Sequence, residues 1–295
     1  MKILYRAGLA LLAAAACALA DVSYSEAIHY TGGTLLDMMK NMSNGPMGKM
    51  MGGRMGQAFQ DQTVKIYLKG NKMARVSANA SMIFDLDAGT MTTIDNTRRI
   101  YVTTTFDELK QRMEQMKQRM AQDSQVGDIQ FEPKLEQTGN TKNIAGQTAS
   151  EYILTLTAKG NQGSATKVRS DMWVVPSVPG NDELRAFRRR MVDKMGVTSG
   201  FNPLLGQASS GLSQLTKETM KIEGFPVTQD TAVSGVQSPM AQMMGGDQNA
   251  DPNAPFLSLT TEASNFATGP VNDSVFQIPA GYKEQKMPQR GSGMN

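Results

Sequence analysis

The segment TVKIYLKGNKMARVSA, residues 63–78, carries the pattern from which the fold of this chain can be predicted. Val64, Ile66 and Leu68 alternate in it with polar or aromatic side chains, which is the two-residue period of a strand with one buried face. A glycine-asparagine pair follows as a tight turn, and a second short strand begins at once. The segment therefore predicts an antiparallel β-hairpin that presents one apolar face.

The same pattern continues along the chain and extends the hairpin into a meander. Met82, Phe84 and Leu86 alternate in the next predicted strand, and residues 91–95 and 99–104 form a further hairpin. Strands joined by such short turns pair in the antiparallel sense. We therefore expect an antiparallel sheet whose apolar face is covered by another element.

An amphipathic helix follows the meander and is the first candidate for that cover. Thr105 is a suitable N-cap, because its hydroxyl accepts a hydrogen bond from a free backbone N–H of the first turn. Methionine adapts its shape readily, so a methionine-rich stripe either fills a core or lines a cavity for varied acyl chains. The apolar residues recur at intervals of three and four, which is the spacing of one helix face: Phe106, Leu109, Met113, Met116 and Met120.

We predict a ligand-binding cavity between the curved sheet and this helix. Six residues of its predicted lining come from strands and four come from the helix. They are Val64, Ile66, Leu68, Met82, Phe84, Leu86, Leu109, Met113, Met116 and Met120.

Strands resume after this helix, and a second helix follows a turn that contains proline and glycine. Asn181 is its predicted N-cap. The arginines at 188–190 are interpreted as part of a solvated helix face, with an anionic partner as the less favoured alternative. Further along, residues 275–278 predict a last edge strand. The apolar stripe of the second helix consists of Leu184, Phe187, Met191 and Met195.

The first 20 residues have the three parts of a secretory signal peptide. Lys2 and Arg6 supply a basic start, a run of Ala, Leu and Gly follows, and small residues precede Asp21. Cleavage before Asp21 predicts a periplasmic or secreted protein with no transmembrane helix in the mature chain. Cys17 follows three alanines and leaves an alternative open, in which the protein is a lipoprotein anchored through Cys17.

The composition excludes several classes of function. The formal charge of +3 falls to +1 when Lys2 and Arg6 leave with the signal, so the mature chain has no charge that would attract nucleic acid. Cys17 is the only cysteine and His29 the only histidine, and the sequence has no G-x-S-x-G turn for an activated serine. We therefore predict no catalytic residues, no cofactor and no enzymatic activity.

Methionine is unusually frequent, with 23 residues against ten phenylalanines. Met47, Met50, Met51 and Met55 crowd one segment that is also rich in glycine. Thioether sulfur suits Cu(I), so a methionine-based copper site in this segment is an alternative hypothesis. An apolar loop that covers a groove explains the same residues without a metal.

The chain is predicted to form a single α+β domain over residues 21–285, since no hinge-like linker divides it. A Met/Gly-rich insertion at 38–55 and a flexible loop at 237–255 interrupt this domain. Residues 286–295 are predicted to be a disordered polar tail.

Three motifs resemble an exported bacterial family, the domain-of-unknown-function family 4412. They are DMWVV at 171–175, GNDEL at 180–184 and FQIPAGYK at 276–283, and the meander before them is similar as well. The likeness covers about residues 64–283. A looser likeness to periplasmic lipoprotein carriers of the Lol type implies a strongly curved, half-barrel-like antiparallel sheet packed on about three helices. It also implies a greasy cavity for acyl chains, although fold alone does not establish function.

These observations together predict a non-catalytic protein of the cell envelope. Its expected ligand is a hydrophobic small molecule, a lipid or a lipoprotein acyl chain, bound between the curved sheet and the helices. The alternatives are the copper-binding protein described above and an envelope scaffold that has a protein partner and no small ligand.

Overall fold

The computed structural model describes residues 20–38, 60–122, 130–159, 165–195, 218–235 and 254–286. The predicted signal peptide, Met/Gly-rich insertion, flexible loop and tail lie outside these ranges except at their ends. Among the described residues, neither α-helix combines the length and the apolar character that crossing a bilayer requires.

Twelve strands, two α-helices and one short 3-10 helix make up most of the described chain, and residues 34–38 are helical as well. The α-helices are α1 (Phe106–Gln122) and α2 (Asn181–Met195), and the 3-10 helix is Asp273–Phe276. The strands are β1 (Val22–Gly32), β2 (Gln62–Lys69), β3 (Lys72–Val76), β4 (Ala80–Asp85), β5 (Thr90–Asp95), β6 (Ile100–Thr105), β7 (Gln130–Ile144), β8 (Gln147–Lys159), β9 (Ala165–Val175), β10 (Phe225–Ser234), β11 (Pro255–Thr268) and β12 (Lys283–Glu284).

All twelve strands belong to one open sheet, whose order is β12-β6-β5-β4-β3-β2-β1-β11-β10-β9-β8-β7. Every pairing is antiparallel except that of β12 with β6. The predicted α+β class and the antiparallel sheet are thereby confirmed. β1 lies in the middle and pairs with β2 on one side and β11 on the other, so it joins the early meander to the later strands.

The hairpin predicted at residues 63–78 forms. Leu68 on β2 pairs with Met73 on β3, and Gly70 adopts a positive φ of 56° in the turn between them. Such a backbone conformation favours glycine, because other residues place a Cβ too close to the backbone. The turn chemistry therefore sets the register in which the apolar side chains of both strands share one face.

That face carries the main apolar core, and we call it the inner face. Residues paired across neighbouring strands point to the same side of a sheet, so a row of paired residues marks it. One such row runs from β1 to β5 through Val22, Leu68, Met73, Phe84 and Met91. All five side chains belong to the main apolar cluster or pack against it.

Helix α2 lies against the inner face. Leu184, Phe187 and Met191 are buried in the same cluster as the row of strand residues. Two side chains of α2 also form hydrogen bonds to the meander. Arg190 Nη2 donates to the Gly70 carbonyl over 3.2 Å, and Lys194 Nζ donates to the Leu86 carbonyl. The helical stripe predicted from the sequence is thus the surface by which α2 packs.

The predicted cap of α2 is wrong. The side-chain oxygen of Asn181 is buried and has no hydrogen-bond partner among the described residues. The backbone starts the helix instead, because Leu184 N–H donates to the Gly180 carbonyl and Asn181 N–H donates to the Val178 carbonyl. For α1 the predicted cap is confirmed, since Thr105 Oγ1 accepts from Glu108 N–H over 3.1 Å and Glu108 Oε2 accepts from Thr105 N–H.

The opposite, outer face of the meander is covered by the C-terminal segment. Ala74, Ile83 and Ile94 are buried there beneath Phe276 and Tyr282. The edge strand predicted at 275–278 is wrong, because Asn272 Oδ1 accepts from Ser274 N–H and starts the 3-10 helix that runs through this region. The edge strand lies further on as β12 and pairs in parallel with β6.

Gly180 tests how tightly β1 is held. Its φ is +76°, and a Cβ at this position would lie 2.3 Å from Cγ2 of Val22, which has no exposed surface. We expect Gly180→Ala to lower the free energy of unfolding by about 2–4 kcal/mol, from left-handed strain plus overpacking. Urea denaturation measures this loss.

Gly146→Ala is the matched control. Gly146 has nearly the same φ, +80°, but a Cβ added there would meet nothing within 4 Å. Its loss should be about 1–2 kcal/mol, the cost of the left-handed backbone alone. Equal losses for the two variants would show that Val22 and Gly180 are not in tight contact.

Candidate functional site

The structure brings the six predicted strand residues of the site together on the inner face. Five of them are buried members of the main apolar cluster, and Met82 is half-buried and packs against it. The five buried members are Val64, Ile66, Leu68, Phe84 and Leu86.

The four predicted helix residues lie in α1. Leu109 is half-buried and packs against the main cluster beside the fully buried Phe106. Met113, Met116 and Met120 also belong to α1, but their side chains are outside the described part of the structure. Their role in lining a cavity therefore stays a prediction.

Sequence reasoning missed the part that α2 takes in covering these strands. Phe187 and Met191 of α2 pack in the cluster with 3% and 1% of their surface exposed, and Ile66 and Phe84 beneath them are as deeply buried. Side chains packed this closely form solid core. The signal was present in the sequence as the apolar stripe of α2, but its spacing alone does not say which strands it covers.

Several apolar side chains at the margin of this core are only partly buried. Met82, Met91 and Leu109 are half-buried there. Met91 on β5 pairs with Thr104, two residues before α1 begins. We call the surface formed by Met82, Met91, Phe106 and Leu109 the α1 margin.

Polar side chains of β9 and β10 form a hydrogen-bonded group of their own. Ser170 Oγ lies 2.9 Å from Thr231 Oγ1, and Gln229 Nε2 donates to both hydroxyl groups over 3.3 and 3.1 Å. Gln229 is paired with Met172, which belongs to a second apolar cluster formed with Leu154, Val174 and Ile222. The hydroxyl and amide groups beside this second cluster thus satisfy one another.

A charged group is enclosed where β1 and β3 face α2. Arg75 Nη2 and Glu26 Oε2 form an ion pair at 2.6 Å, with 25% and 15% of their side chains exposed. The Tyr24 hydroxyl donates to the other oxygen of the Glu26 carboxylate over 3.1 Å. Burial, together with the nearby Glu26 charge, raises the pKa of Tyr24 far above its ordinary value, so the phenol stays protonated and remains a donor.

Arg188 of α2 lies beside this group. It follows Leu184 by one helical turn and is therefore on the buried side of α2, where it interacts electrostatically with Tyr24 and Glu26. Burial lowers the pKa of its guanidinium. The interpretation of residues 188–190 as a solvated face is therefore wrong for Arg188 and Arg190, which are partly buried, and right for Arg189, which is exposed.

A concave surface lies on one face of β7, β8 and β9. This groove has a volume of about 490 Å³, and charged side chains of both signs alternate with threonines along it. Lys134 pairs with Glu136 at 2.8 Å, and Arg169 pairs with Asp171 at 2.9 Å. Because these charges are largely exposed and paired, the groove has the character of a solvated sheet face.

Metal-binding side chains do not converge in the part of the chain that the structure describes. Among the described residues, no group of three or more His, Cys, Asp or Glu side chains is placed to hold a metal ion. The methionines of the copper hypothesis, Met47, Met50, Met51 and Met55, lie outside the described residues. His29 is exposed, and its Nδ1 lies 2.9 Å from Asp61 Oδ2.

No family model and no curated protein sequence matches the chain. The resemblance to the exported family of unknown function, and the looser one to Lol-type carriers, therefore stay predictions.

The contributions of the two helices can be compared by truncating one buried residue in each. We expect Phe187→Ala in α2 to lower the free energy of unfolding by about 3–5 kcal/mol, because a large, fully buried ring leaves a cavity. Leu109→Ala in α1 should cost only about 1–2 kcal/mol, since Leu109 is half-buried. Urea denaturation of both variants measures the difference, and a larger loss for Leu109→Ala would assign the main covering role to α1.

The pair formed by His29 and Asp61 predicts a pH-dependent signal. The hydrogen bond to Asp61 raises the pKa of His29, and the same bond lowers the pKa of Asp61. The contribution of His29 is fully present below its unfolded pKa and is lost as pH rises through the raised folded pKa. The contribution of Asp61 is present above its unfolded pKa and is lost on acidification, so the pair acts fully between about pH 4 and 6.5.

The pKa of His29 can be measured directly, because His29 is the only histidine and gives one set of ring proton signals. Proton NMR titration should show the pKa of His29 falling in Asp61→Asn toward the ordinary value of an exposed histidine. Gln62→Asn, one residue away on the exposed surface, should leave it unchanged. An unchanged pKa in Asp61→Asn would contradict the pairing.

Proposed function

We propose that this protein is a non-catalytic binding protein of the cell envelope, with a hydrophobic ligand such as a lipid or an acyl chain held between the inner face and α1. The observation that carries the proposal is the α1 margin. There an otherwise solid core ends in half-buried methionine and leucine side chains. Incompletely buried apolar side chains beside a helix are a suitable lining for an acyl chain.

The way α1 is attached supports this proposal. The described anchor of α1 is its first turn, where Phe106 is buried, Phe106 N–H donates to the Gly89 carbonyl over 2.9 Å, and Thr105 and Glu108 cap each other. The helix continues to Gln122, a length of about 25 Å. A helix anchored through its first turn, with methionines predicted along one side, is suited to cover an elongated apolar ligand.

The open antiparallel sheet with helices on its inner face is also compatible with the proposed likeness to Lol-type carriers. In that comparison the inner face corresponds to the concave side of a strongly curved sheet. The likeness concerns fold, so it adds to the proposal only in combination with the α1 margin.

The proposed export of the protein fits the start of the folded body. Asp21 is the first residue after the proposed cleavage site. Its carbonyl accepts a hydrogen bond from Gly269 N–H over 3.0 Å, and its carboxylate accepts one from Val271 N–H over 2.9 Å. β1 begins at the next residue. Cleavage before Asp21 would thus remove nothing that these hydrogen bonds need, and a lipid on Cys17 would leave a short tether before the fold.

Binding of a fluorescent fatty-acid probe tests the proposal. Met116→Asp places a carboxylate on the predicted lining and should abolish uptake, because burying an unpaired charge beside an acyl chain is strongly unfavourable. Gln115→Asp introduces the same group at an exposed position of the same helix and should bind like the parent protein. Lys65→Asp, at an exposed position of β2, should do the same.

Thermal melting of each variant separates loss of binding from loss of folding. If Met116→Asp melts like the parent and still takes up the probe equally well, the proposed site between the inner face and α1 is wrong. If the parent itself takes up no probe, the proposed function is wrong.

A further inference from the structure

Strand β7 lies at one end of the sheet and has a free edge. It pairs with β8 and with no other strand that the structure describes. The strand at the opposite end of the sheet, β12, has only two residues, whereas β7 has 15. The backbone groups along the free edge of β7 can therefore form hydrogen bonds to an added strand.

A bulge limits the straight part of this edge to residues 130–137. Beyond it, residues 138–140 of β7 lie opposite a single residue of β8, Glu151. The Glu151 carboxylate holds the bulge, because it accepts hydrogen bonds from Thr138 Oγ1 over 2.6 Å and from Asn140 Nδ2 over 2.8 Å. Since a bulge bends the strand and interrupts its ladder, an added strand can pair only with the straight part.

The turn between β7 and β8 shows which backbone groups point to the free edge. Ile144 and Gln147 flank a two-residue turn and pair with each other. The residues that flank such a turn form a hydrogen-bonded pair, and the two kinds of pair alternate from there along the strands. Leu156 lies an odd number of residues beyond Gln147, so its pair with Pro133 is not hydrogen-bonded.

Pro133, Leu135 and Gln137 therefore direct their backbone groups away from β8. Proline has no N–H, so Pro133 offers only its carbonyl, and the free edge is where a strand tolerates a proline. Leu135 and Gln137 each offer an N–H and a carbonyl. A well-paired added strand must place an N–H opposite the Pro133 carbonyl.

The side chains of the straight part alternate in charge on one face. Glu132, Lys134 and Glu136 occupy every second position, and all three are exposed. Lys134 Nζ lies 2.8 Å from Glu136 Oε2. An added strand is favoured where it places opposite charges beside these residues and disfavoured where it places like charges there.

The other face of the straight part is apolar and ends at the edge. Leu135 is half-buried, pairs with Leu154 of β8 and packs against the second apolar cluster. Its outer side has no neighbour among the described strands. An added strand with an apolar residue opposite Leu135 would bury this side chain further.

We propose that β7 pairs with β7 of a second copy of this chain, antiparallel about a two-fold axis beside Leu135. In this register Leu135 faces its own counterpart, and the two residues exchange both hydrogen bonds. Lys134 faces Glu136 of the second copy on each side of the axis. Pro133 faces Gln137, whose N–H donates to the Pro133 carbonyl.

The neighbouring registers satisfy fewer of these groups. Only shifts that keep the outward-pointing residues opposite one another allow hydrogen bonds. An axis beside Lys134 or Glu136 places like charges opposite each other. An axis beside Pro133 brings two carbonyls together with no N–H between them. The axis beside Leu135 avoids both costs, and such a two-fold pairing closes into a dimer.

Disulfide cross-linking tests the register. Leu135→Cys is made together with Cys17→Ser, so that the introduced cysteine is the only thiol. Its two copies in the dimer would have Cα atoms about 5.5 Å apart, so mild oxidation should give a covalent dimer on a non-reducing gel. Gln137→Cys in the same background should stay monomeric on the gel, because its two copies would lie about 13 Å apart.

Sedimentation equilibrium tests the charges. Lys134→Glu should weaken dimerisation about tenfold, because two pairs of opposite charge become pairs of like charge. Adding Glu136→Lys to it exchanges the charges and should restore the dimer. Lys167→Glu makes the same change at an exposed position of β9, away from the edge, and should leave dimerisation unchanged.

Two outcomes would overturn this proposal. A parent protein that is monomeric at every concentration would leave the edge to a strand of a different protein. Equal cross-linking through residues 135 and 137 would show that the copies do not meet in this register. If Leu135→Cys does not fold, the charge variants decide, since they change only exposed side chains. Neither outcome bears on the proposed function, which concerns α1.

Discussion

The sheet is continuous only because β1 is inserted between two sets of strands that are far apart in sequence. β1 pairs with β2 of the early meander and with β11 near the end of the chain. Without it, β2 and β11 would each expose an unpaired edge. The insertion is fixed at its start, where Val22 has no exposed surface and lies against Gly180, and where Asp21 accepts hydrogen bonds from Gly269 and Val271. The beginning of the folded body is therefore held by several distant parts of the chain.

This arrangement places core and candidate site on one surface. The row of apolar side chains from Val22 to Met91 is solid under α2 and becomes half-buried near α1. The ion pair of Glu26 and Arg75 sits within the same face, and α2 brings Arg188 to it. Apolar packing and a compensated ion pair therefore share the inner face, and the ion pair is tolerated there because its two charges neutralise each other.

The candidate site was predictable in part. Alternation in β2 and β4 placed Val64, Ile66 and Phe84 on one face, and the structure confirms that they lie together. The polar members were not identified, because a run of three arginines is usually solvated and charged residues such as Glu26 and Arg75 are rarely buried unless they are paired. A usable signal did exist, since Arg188 follows Leu184 by four residues and so belongs to the buried side of the helix. Tyr24, with which this arginine interacts electrostatically, is distant in sequence, and the two come close only because β1 joins the sheet.

Local sequence was enough to specify the individual elements. Residue alternation specified the strands of the meander, the glycine turn at Gly70 set their register, and the apolar spacing specified α1 and α2. These features act between residues close in the chain, so they can be read without a structure. Long-range packing, in contrast, made β1 central, placed α2 over the core through Phe187, and closed the outer face with residues 273–286. Those outcomes require contacts between segments that are distant in the chain. Many ways of pairing the strands satisfy the same local patterns, and packing selects the one that buries the most apolar surface while its polar groups are paired.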